Sequence, residues 1–249
     1  MTELTGKSAI VAAGVKNLGG LISTRLAERG ANVLVHYHSA AGEADAEKTI
    51  AAVEVAGARA VPFRADLTEP ANVTRLFDAA VEAFGTVDIA VNTVGKVLRK
   101  PIVDTTEAEY DEMFLVNAKA AYFFLAEAGR RLADNGRIVT VVTSLLAAFT
   151  DGYSTYAGSK SPVEHFTRAA AKEFAARGIA VNNVAPGPMD TPFFYPQETP
   201  ERVEFHKSQA MGGRLTHIED IAPLVEFLVT DGGWITGQTL FANGGYTTR

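Results

Sequence analysis

Tyr156 and Lys160 stand four apart in Y-A-G-S-K, a spacing that on a helix stacks two side chains on one face. A free phenol has a pKa of about 10 and exchanges its proton poorly at neutral pH, but an ammonium beside it favours the phenolate and lowers that value. The pair is a candidate general acid/base. A tyrosine packed at a helix start, with a solvated lysine one turn on, would show the same spacing, so the pair needs partners. The first is the string S-A-I-V-A-A-G-V-K-N-L-G-G-L-I-S-T-R-L-A-E-R-G near the amino terminus. It reads as an apolar strand, a glycine turn and an amphipathic helix. In that context Gly14, Gly19 and Gly20 would bring backbone N–H groups and a helix N-terminus up to a pyrophosphate.

The elements that must position these residues follow from hydrophobic patterning. Short runs rich in valine and isoleucine alternate with longer helical patterns, the signature of βαβ units and a parallel sheet covered on both faces. The strands fall at Ser8–Ala12, Asn32–Tyr37, Ala60–Arg64, Ile89–Asn92, Arg137–Thr143, Ala180–Val184 and Thr239–Phe241, with helices between them. The expected fold is α/β: one domain over residues 1–249, a doubly wound, seven-stranded parallel sheet. Ligands of open α/β sheets bind outside the carboxyl ends of the strands. The residues there are Gly14, Tyr37 with His38, Asp66, Asn92 to Gly95, Ser144, and Pro186 with Gly187, so the candidate positions share one rim. A proline-rich, irregular stretch runs from about Pro186 to Gly213, and residues 188–213 read as a functional lid rather than a linker.

Composition narrows the function classes. A net charge of −6 and the lack of a basic stripe argue against a nucleic-acid partner. No apolar run approaches the roughly 18 residues of a membrane span, and M-T-E-L-T-G-K lacks a signal peptide's regions, so a cytoplasmic location is expected. With no cysteine, disulfides, thiolate catalysis and cysteine metal sites are excluded. The five histidines show no H-E-x-x-H spacing, and no metal is expected.

Over nearly its whole length the chain resembles the short-chain dehydrogenase/reductase family. The likeness rests on the turn at Gly14 to Gly20, N-T-V-G at Asn92 to Gly95, Asn117, Ser144, Tyr156 with Lys160, and P-G-P-M-D-T at Pro186 to Thr191, which fall in the family's order. Ser144 precedes Tyr156 by 12 positions, about the family's interval between catalytic serine and tyrosine. The resemblance implies a Rossmann fold and reduction of a carbonyl to an alcohol, or the reverse, by hydride transfer. Tyr156 would carry the proton, Ser144 would polarise the substrate oxygen, and Lys160 would lower the tyrosine pKa and hold the nicotinamide ribose. Asn117 would anchor a water linking Lys160 to solvent. Gly14, Lys16, Asn17, Leu18 and Gly19 would meet the pyrophosphate side, Asp66 and Leu67 the adenine, and Asn92, Val94 and Gly95 the nicotinamide ribose. Pro186, Gly187, Met189 and Thr191 would wrap the nicotinamide. The turn departs from the usual T-G-x-x-x-G-x-G, with Ala13 for threonine and Leu18 where the middle glycine sits, which places a side chain beside the phosphate path.

An NAD enzyme usually presents an acid to the ribose 2′-hydroxyl at the end of the second strand. Here Tyr37 stands there, and His38, Ser39 and Lys16 can donate to a 2′-phosphate, so NADP(H) is the expected cofactor. The H-Y-H-S string is similar to that segment of pteridine reductases. Leu145, Phe149, Tyr153, Phe193, Phe194 and Tyr195 fall where relatives line the substrate pocket, and they suit an uncharged ketone, a 3-oxoacyl thioester or a stacked heteroaromatic. The resemblance also implies a homotetramer. Broad likeness to 3-oxoacyl carrier-protein reductases makes that the first activity to assay. A catalytically silent NADP(H)-binding redox sensor or scaffold on the same fold is the alternative.

Overall fold

Every residue of strand β1 (Ser8–Ala12) is buried, and its side chains divide between two cores. Ala9 and Val11 face one, Ile10 and Ala12 the other. This is why the strand reads as an unbroken apolar run: both faces of a parallel sheet are covered. The computed structural model describes residues 3–248. The strands β2 (Asn32–Tyr37), β3 (Ala60–Arg64), β4 (Ile89–Asn92), β5 (Arg137–Val141), β6 (Ala180–Pro186) and β7 (Thr239–Ala242) complete one parallel sheet of order β3-β2-β1-β4-β5-β6-β7. The order reverses between β1 and β4, so the crevice for a ligand opens at their carboxyl ends. Registering Ala12 with Asn92 brings the glycine turn and the N-T-V-G segment side by side there.

Helices α1 (Asn17–Glu28), α2 (Glu43–Val55) and α8 (Ile218–Val229) pack on one face through Ile22, Leu26, Val53 and Val225. Helices α3 (Pro70–Phe84), α5 (Ala120–Arg131) and α6 (Ser154–Glu173) cover the other through Leu76, Phe77, Phe124 and Ala170. Helix α3 shows why such segments start and stop where they do. Pro70 occupies its first turn, where no N–H is needed, and Gly85 closes it at φ 81, a conformation glycine adopts without steric cost. The shorter α4 (Glu107–Phe114) opens on a reciprocal capping box between Thr106 and Glu109 and runs into a π turn, Leu115–Lys119, before α5.

Three strand ends differ from expectation, β7 by the single residue Ala242. β5 stops at Val141 because Thr143 leaves the ladder, its hydroxyl accepting from Leu145 N at 3.2 Å. β6 runs on to Pro186, which pairs with Ala242; a proline is tolerated at a strand's last position. The proline-rich segment is also less irregular than its sequence suggests. It holds helix α7 (Pro200–Ser208), capped by the Thr199 side chain, with only Val203 and His206 buried. So small an apolar stripe leaves no 3.6-residue period to read.

Candidate active site

The carboxyl rim of the sheet carries a long groove of about 1970 Å³ including its mouth, and a smaller cavity of about 600 Å³. Val142, Tyr156, Met189, Thr191 and Phe193 border both. The groove is bounded at one end by the glycine turn. Here close approach of backbone demands glycine: a Cβ on Gly14 would lie 2.5 Å from Val11 O, and one on Gly19 would lie 2.1 Å from Ala13 O. Ala13 and Asn17 hold φ of 56° and 47°, strained values for residues with a Cβ. The turn is braced from three sides. Thr93 Oγ1 donates to Ala12 O at 2.9 Å, Gly14 N donates to His36 O at 2.9 Å, and Ala13 N donates to His36 Nδ1 at 3.0 Å.

His36 therefore keeps its hydrogen on Nε2, aimed at Ala65 O 2.9 Å away. Burial lowers its pKa to about 4, so it stays neutral and ties the ends of β1, β2 and β3 together. Leu18 does not plug the turn. The residue is 4% exposed and joins the core with Ile22 and Leu26 of α1 while bordering the groove. The cap residue Lys16 makes no side-chain bond to the first turn of α1, so the helix N-terminus faces the groove with its dipole and amides available to an anion.

Further along, Tyr37, His38 and Ser39 line the groove where β2 ends. Lys16 Nζ lies 3.5 Å from Asp45 Oδ2 of α2, and His38 Nδ1 lies 3.8 Å from Asp66 Oδ1. Both basic side chains are exposed. Asp66 and the buried Leu67 also line the groove. Partial burial works against the Asp66 charge, but hydrogen bonds from the Thr68 N–H and hydroxyl outweigh it and lower its pKa. Asp66 thus closes the turn that leads toward α3 while facing the groove. Asn92 Oδ1 accepts from Val94 N at 2.9 Å, which shapes the next loop. A Cβ on Gly95 would lie 3.1 Å from Lys160 Nζ and 3.3 Å from Asn117 Oδ1, so glycine here lets the backbone pass beside both.

Tyr156 and Lys160 share the buried face of α6. The Lys160 ammonium donates to Val94 O and Val141 O, each at 3.1 Å, and burial lowers its pKa to about 8. Burial likewise pushes the Tyr156 phenol up to about 12, against the opposing pull of a hydrogen bond with the Thr143 side chain. Desolvation dominates the Tyr156 shift. Asn117 sits in the π turn and bridges elements: Oδ1 accepts from Lys96 N at 2.9 Å, while Nδ2 donates to Lys96 O at 2.8 Å and Ser159 Oγ at 3.0 Å. Its side chain is thereby committed to protein groups.

Ser144 lines the smaller cavity. It is buried, its hydroxyl donates to Ala185 O at 2.9 Å and accepts from Asn243 Nδ2 at 3.0 Å. Thr143, one position earlier, is the hydroxyl that meets Tyr156. Sequence reading passed over Thr143 because threonine and serine stand adjacent and the interval to Tyr156 is compatible with either. Leu145, Tyr153, Phe193 and Phe194 line the smaller cavity with Pro186, Gly187, Met189 and Thr191. Phe149 does not, being fully exposed, and Tyr195 turns outward to Asp190, hydroxyl to Oδ1 at 2.5 Å. His206 and Tyr246 also border this cavity; no motif pointed to them. Among the described residues no group of three or more histidine, aspartate or glutamate side chains could hold a metal ion, and no helix is long and apolar enough to cross a membrane.

Comparison with known proteins places this geometry in context. The profile of the family described as Enoyl-(Acyl carrier protein) reductase matches residues 12–247. A relative in Arabidopsis thaliana, an NADPH-dependent aldehyde reductase-like chloroplastic protein, is 38% identical over 98% of this chain and 95% of its own. A short-chain type dehydrogenase/reductase of Picea abies is 37% identical over 97% and 93%. A Burkholderia cenocepacia chain solved with bound NADP superimposes with a TM-score of 0.97 at 58% identity, covering 100% of this chain and 97% of that one.

Proposed function

Since the chain belongs to the short-chain dehydrogenase/reductase family, we propose that it is an NADP(H)-dependent oxidoreductase interconverting a carbonyl compound and its alcohol. The single observation that carries the reading is that Tyr156, which borders both groove and cavity, shares the buried face of α6 with the groove-lining Lys160 and has Thr143 of the cavity as its polar neighbour. The groove suits a dinucleotide: its turn admits no Cβ at Gly14 or Gly19, and a helix N-terminus faces it. Gly14, Asn17, Leu18 and Gly19 would meet the pyrophosphate through their backbone, and Lys16, Tyr37, His38 and Ser39 the 2′-phosphate. Asp66 and Leu67 would flank the adenine. Asn92, Val94, Gly95 and Lys160 would border the nicotinamide ribose, and Pro186, Gly187, Met189 and Thr191 the ring. NADP(H) rather than NAD(H) is favoured by the absence of an acid at Tyr37 and by the NADP bound in the Burkholderia relative.

When bound, the nicotinamide supplies or accepts the hydride, which no side chain can do. Tyr156, protonated at neutral pH because burial raises its pKa, delivers its proton to the oxygen of the carbonyl being reduced. Thr143 donates a hydrogen bond to that same oxygen as charge develops on it, in the role expected of Ser144. Ser144 instead holds the β6 and β7 ends behind it. An ammonium has three hydrogens; two of those on Lys160 hold Val94 and Val141, which leaves one for the groove. Asn117 fixes α6 against the Lys96 loop, and any water relay to Lys160 runs along its main chain.

Leu145, Val97 and Phe193 make the cavity walls largely apolar, suiting an uncharged aldehyde or ketone, with a 3-oxoacyl thioester as one member of the panel. A homotetramer built on α5 and α6 fits the half-exposed Tyr122, edge-on to Phe166; light scattering tests it. The deciding experiment adds NADPH and a panel of carbonyl compounds and follows the loss of nicotinamide absorbance. Saturable NADPH binding without turnover of any carbonyl would instead assign the chain to the silent sensors.

A further inference from the structure

Segment 188–213 carries a buried polar cluster that the hydride chemistry does not use. Glu198, just before α7, has a side chain 0% exposed, with Arg99 Nε 3.7 Å away. Its carboxylate accepts from the Tyr153 hydroxyl and from Arg202 Nε at 3.0 Å, and His206 Nε2 lies 3.1 Å from it. An ionised carboxylate can only accept hydrogen bonds. Arg202 and the Tyr153 hydroxyl donate to Glu198 and Arg99 lies beside it, so His206 Nε2 meets an acceptor and its hydrogen points at Glu198. This orients the other end of the ring: Nδ1 of His206 meets the Tyr246 hydroxyl at 3.0 Å.

His206 and Tyr246 both border the cavity that also holds Tyr156 and Thr143. A phenol carries one donor and two acceptor positions, and His206 engages one of them. Where the imidazole is neutral, Nδ1 takes the Tyr246 hydrogen and the phenol oxygen keeps its lone pairs for another donor. Where the imidazole is charged, Nδ1 donates and the phenol hydrogen is released toward another acceptor. In both states Tyr246 offers the cavity one hydrogen-bonding function. A second carbonyl or an ether on a ligand would match only one state, whereas a hydroxyl, which donates and accepts, matches both.

We propose that Tyr246, oriented by the His206–Glu198 pair, is a second substrate-recognising group that binds a hydroxyl borne by the carbonyl compound at a site away from the reacting carbon. The assignment rests on the reading of the cavity as the substrate pocket of a carbonyl reductase. The carbon frame between the two polar ends lies against Leu145, Val97 and Phe193. The cavity is the smaller of the two spaces and suits a compact ring or short chain. The substrate class is therefore small hydroxy-aldehydes and hydroxy-ketones, phenolic ones included.

The test compares benzaldehyde with 3- and 4-hydroxybenzaldehyde in wild type and in Tyr246→Phe, reading kcat/KM with NADPH. A site built to bond a hydroxyl discriminates against the analogue lacking it. The expected result is that the substitution lowers the ratio of hydroxylated to plain aldehyde by about tenfold or more for at least one isomer. Taking the change in that ratio cancels the hydroxyl's electronic effect on the carbonyl. The loss should appear mainly in KM, and Glu198→Gln, which keeps shape but not charge, should move the ratio in the same direction. Reduction of the aldehydes with a ratio unmoved by Tyr246→Phe overturns this proposal alone. Absence of turnover with these aldehydes and the whole carbonyl panel, NADPH being bound, overturns the reductase reading and this proposal with it.

Discussion

The Thr143 side chain is the one local influence on the Tyr156 phenol that opposes the burial holding it up at about 12. On the proposed mechanism, a threonine so placed donates to the oxygen that Tyr156 protonates. Loss of one such donor costs on the order of 10²–10³ in kcat. Thr143→Val, nearly isosteric, should show that loss in NADPH-dependent reduction, and Thr143→Ser should restore most of it. Ser144→Ala should cost less in kcat and more in thermal stability, since Ser144 holds Ala185 and Asn243. Equal kcat in Thr143→Val and wild type would take Thr143 out of the chemistry.

Tyr156→Phe deletes a single oxygen from a buried ring. Dinucleotide binding, read by the fluorescence of bound NADPH, should persist, while turnover falls by about 10²–10⁴, the usual worth of a positioned acid/base. Turnover at the wild-type rate would refute its role.

Lys160 makes stability depend on pH in a defined direction. Its folded pKa, about 8, lies below the unfolded value of 10.5. Between those values the unfolded chain binds more protons, so stability rises with pH across the window and is lost as pH falls through 8. Tyr156 acts with the opposite sign, its pKa rising from 10.0 to about 12, but only above pH 10. Melting curves from pH 7.5 to 10 should therefore show wild type gaining stability relative to Lys160→Met. A difference that is flat or shrinks with pH would contradict the assignment.

Gly19→Ala places a Cβ 2.1 Å from Ala13 O, a clash with backbone that no rotamer relieves. The N-terminus of α1 must shift, at a cost of about 1–3 kcal/mol for overpacking. The variant should melt earlier and bind NADPH more weakly, with the loss shared by NADH because both carry the pyrophosphate. An unaltered melting temperature would mean that the turn yields to the extra methyl without cost.

Among the described residues Lys16 is the one ammonium lining the groove beside the glycine turn, at the end proposed for the 2′-phosphate. A hydrogen bond to a charged group is worth about 1.5–3 kcal/mol, so Lys16→Ala should weaken NADPH at least about tenfold and NADH little. Titration of both dinucleotides checks this. Parallel losses would move the 2′-phosphate away from Lys16.

Much of the fold was legible because the central strands are short apolar runs buried on both faces, as β1 illustrates, and because glycines and prolines mark the helix ends. The site was legible where chemistry demands a residue type in a local string: Tyr156 with Lys160, Gly14 with Gly19. It was not legible where function depends on which of two neighbours turns inward. Thr143 and Ser144 are both hydroxyls, and only the end of β5 decides which meets Tyr156. Helix α7 hid because it buries just two side chains. The cluster on Glu198 hid because Arg99, Tyr153, His206 and Tyr246 come from separate elements, and only folding assembles them.

Leu18, joined to the core with Ile22 and Leu26 of α1, and His36, gripping Ala13 from behind, mean that the bend between β1 and α1 is cast during folding rather than by its guest. A loop already frozen in shape has little motional freedom left to surrender on association, so this end of the groove should admit a dinucleotide with a small entropic toll.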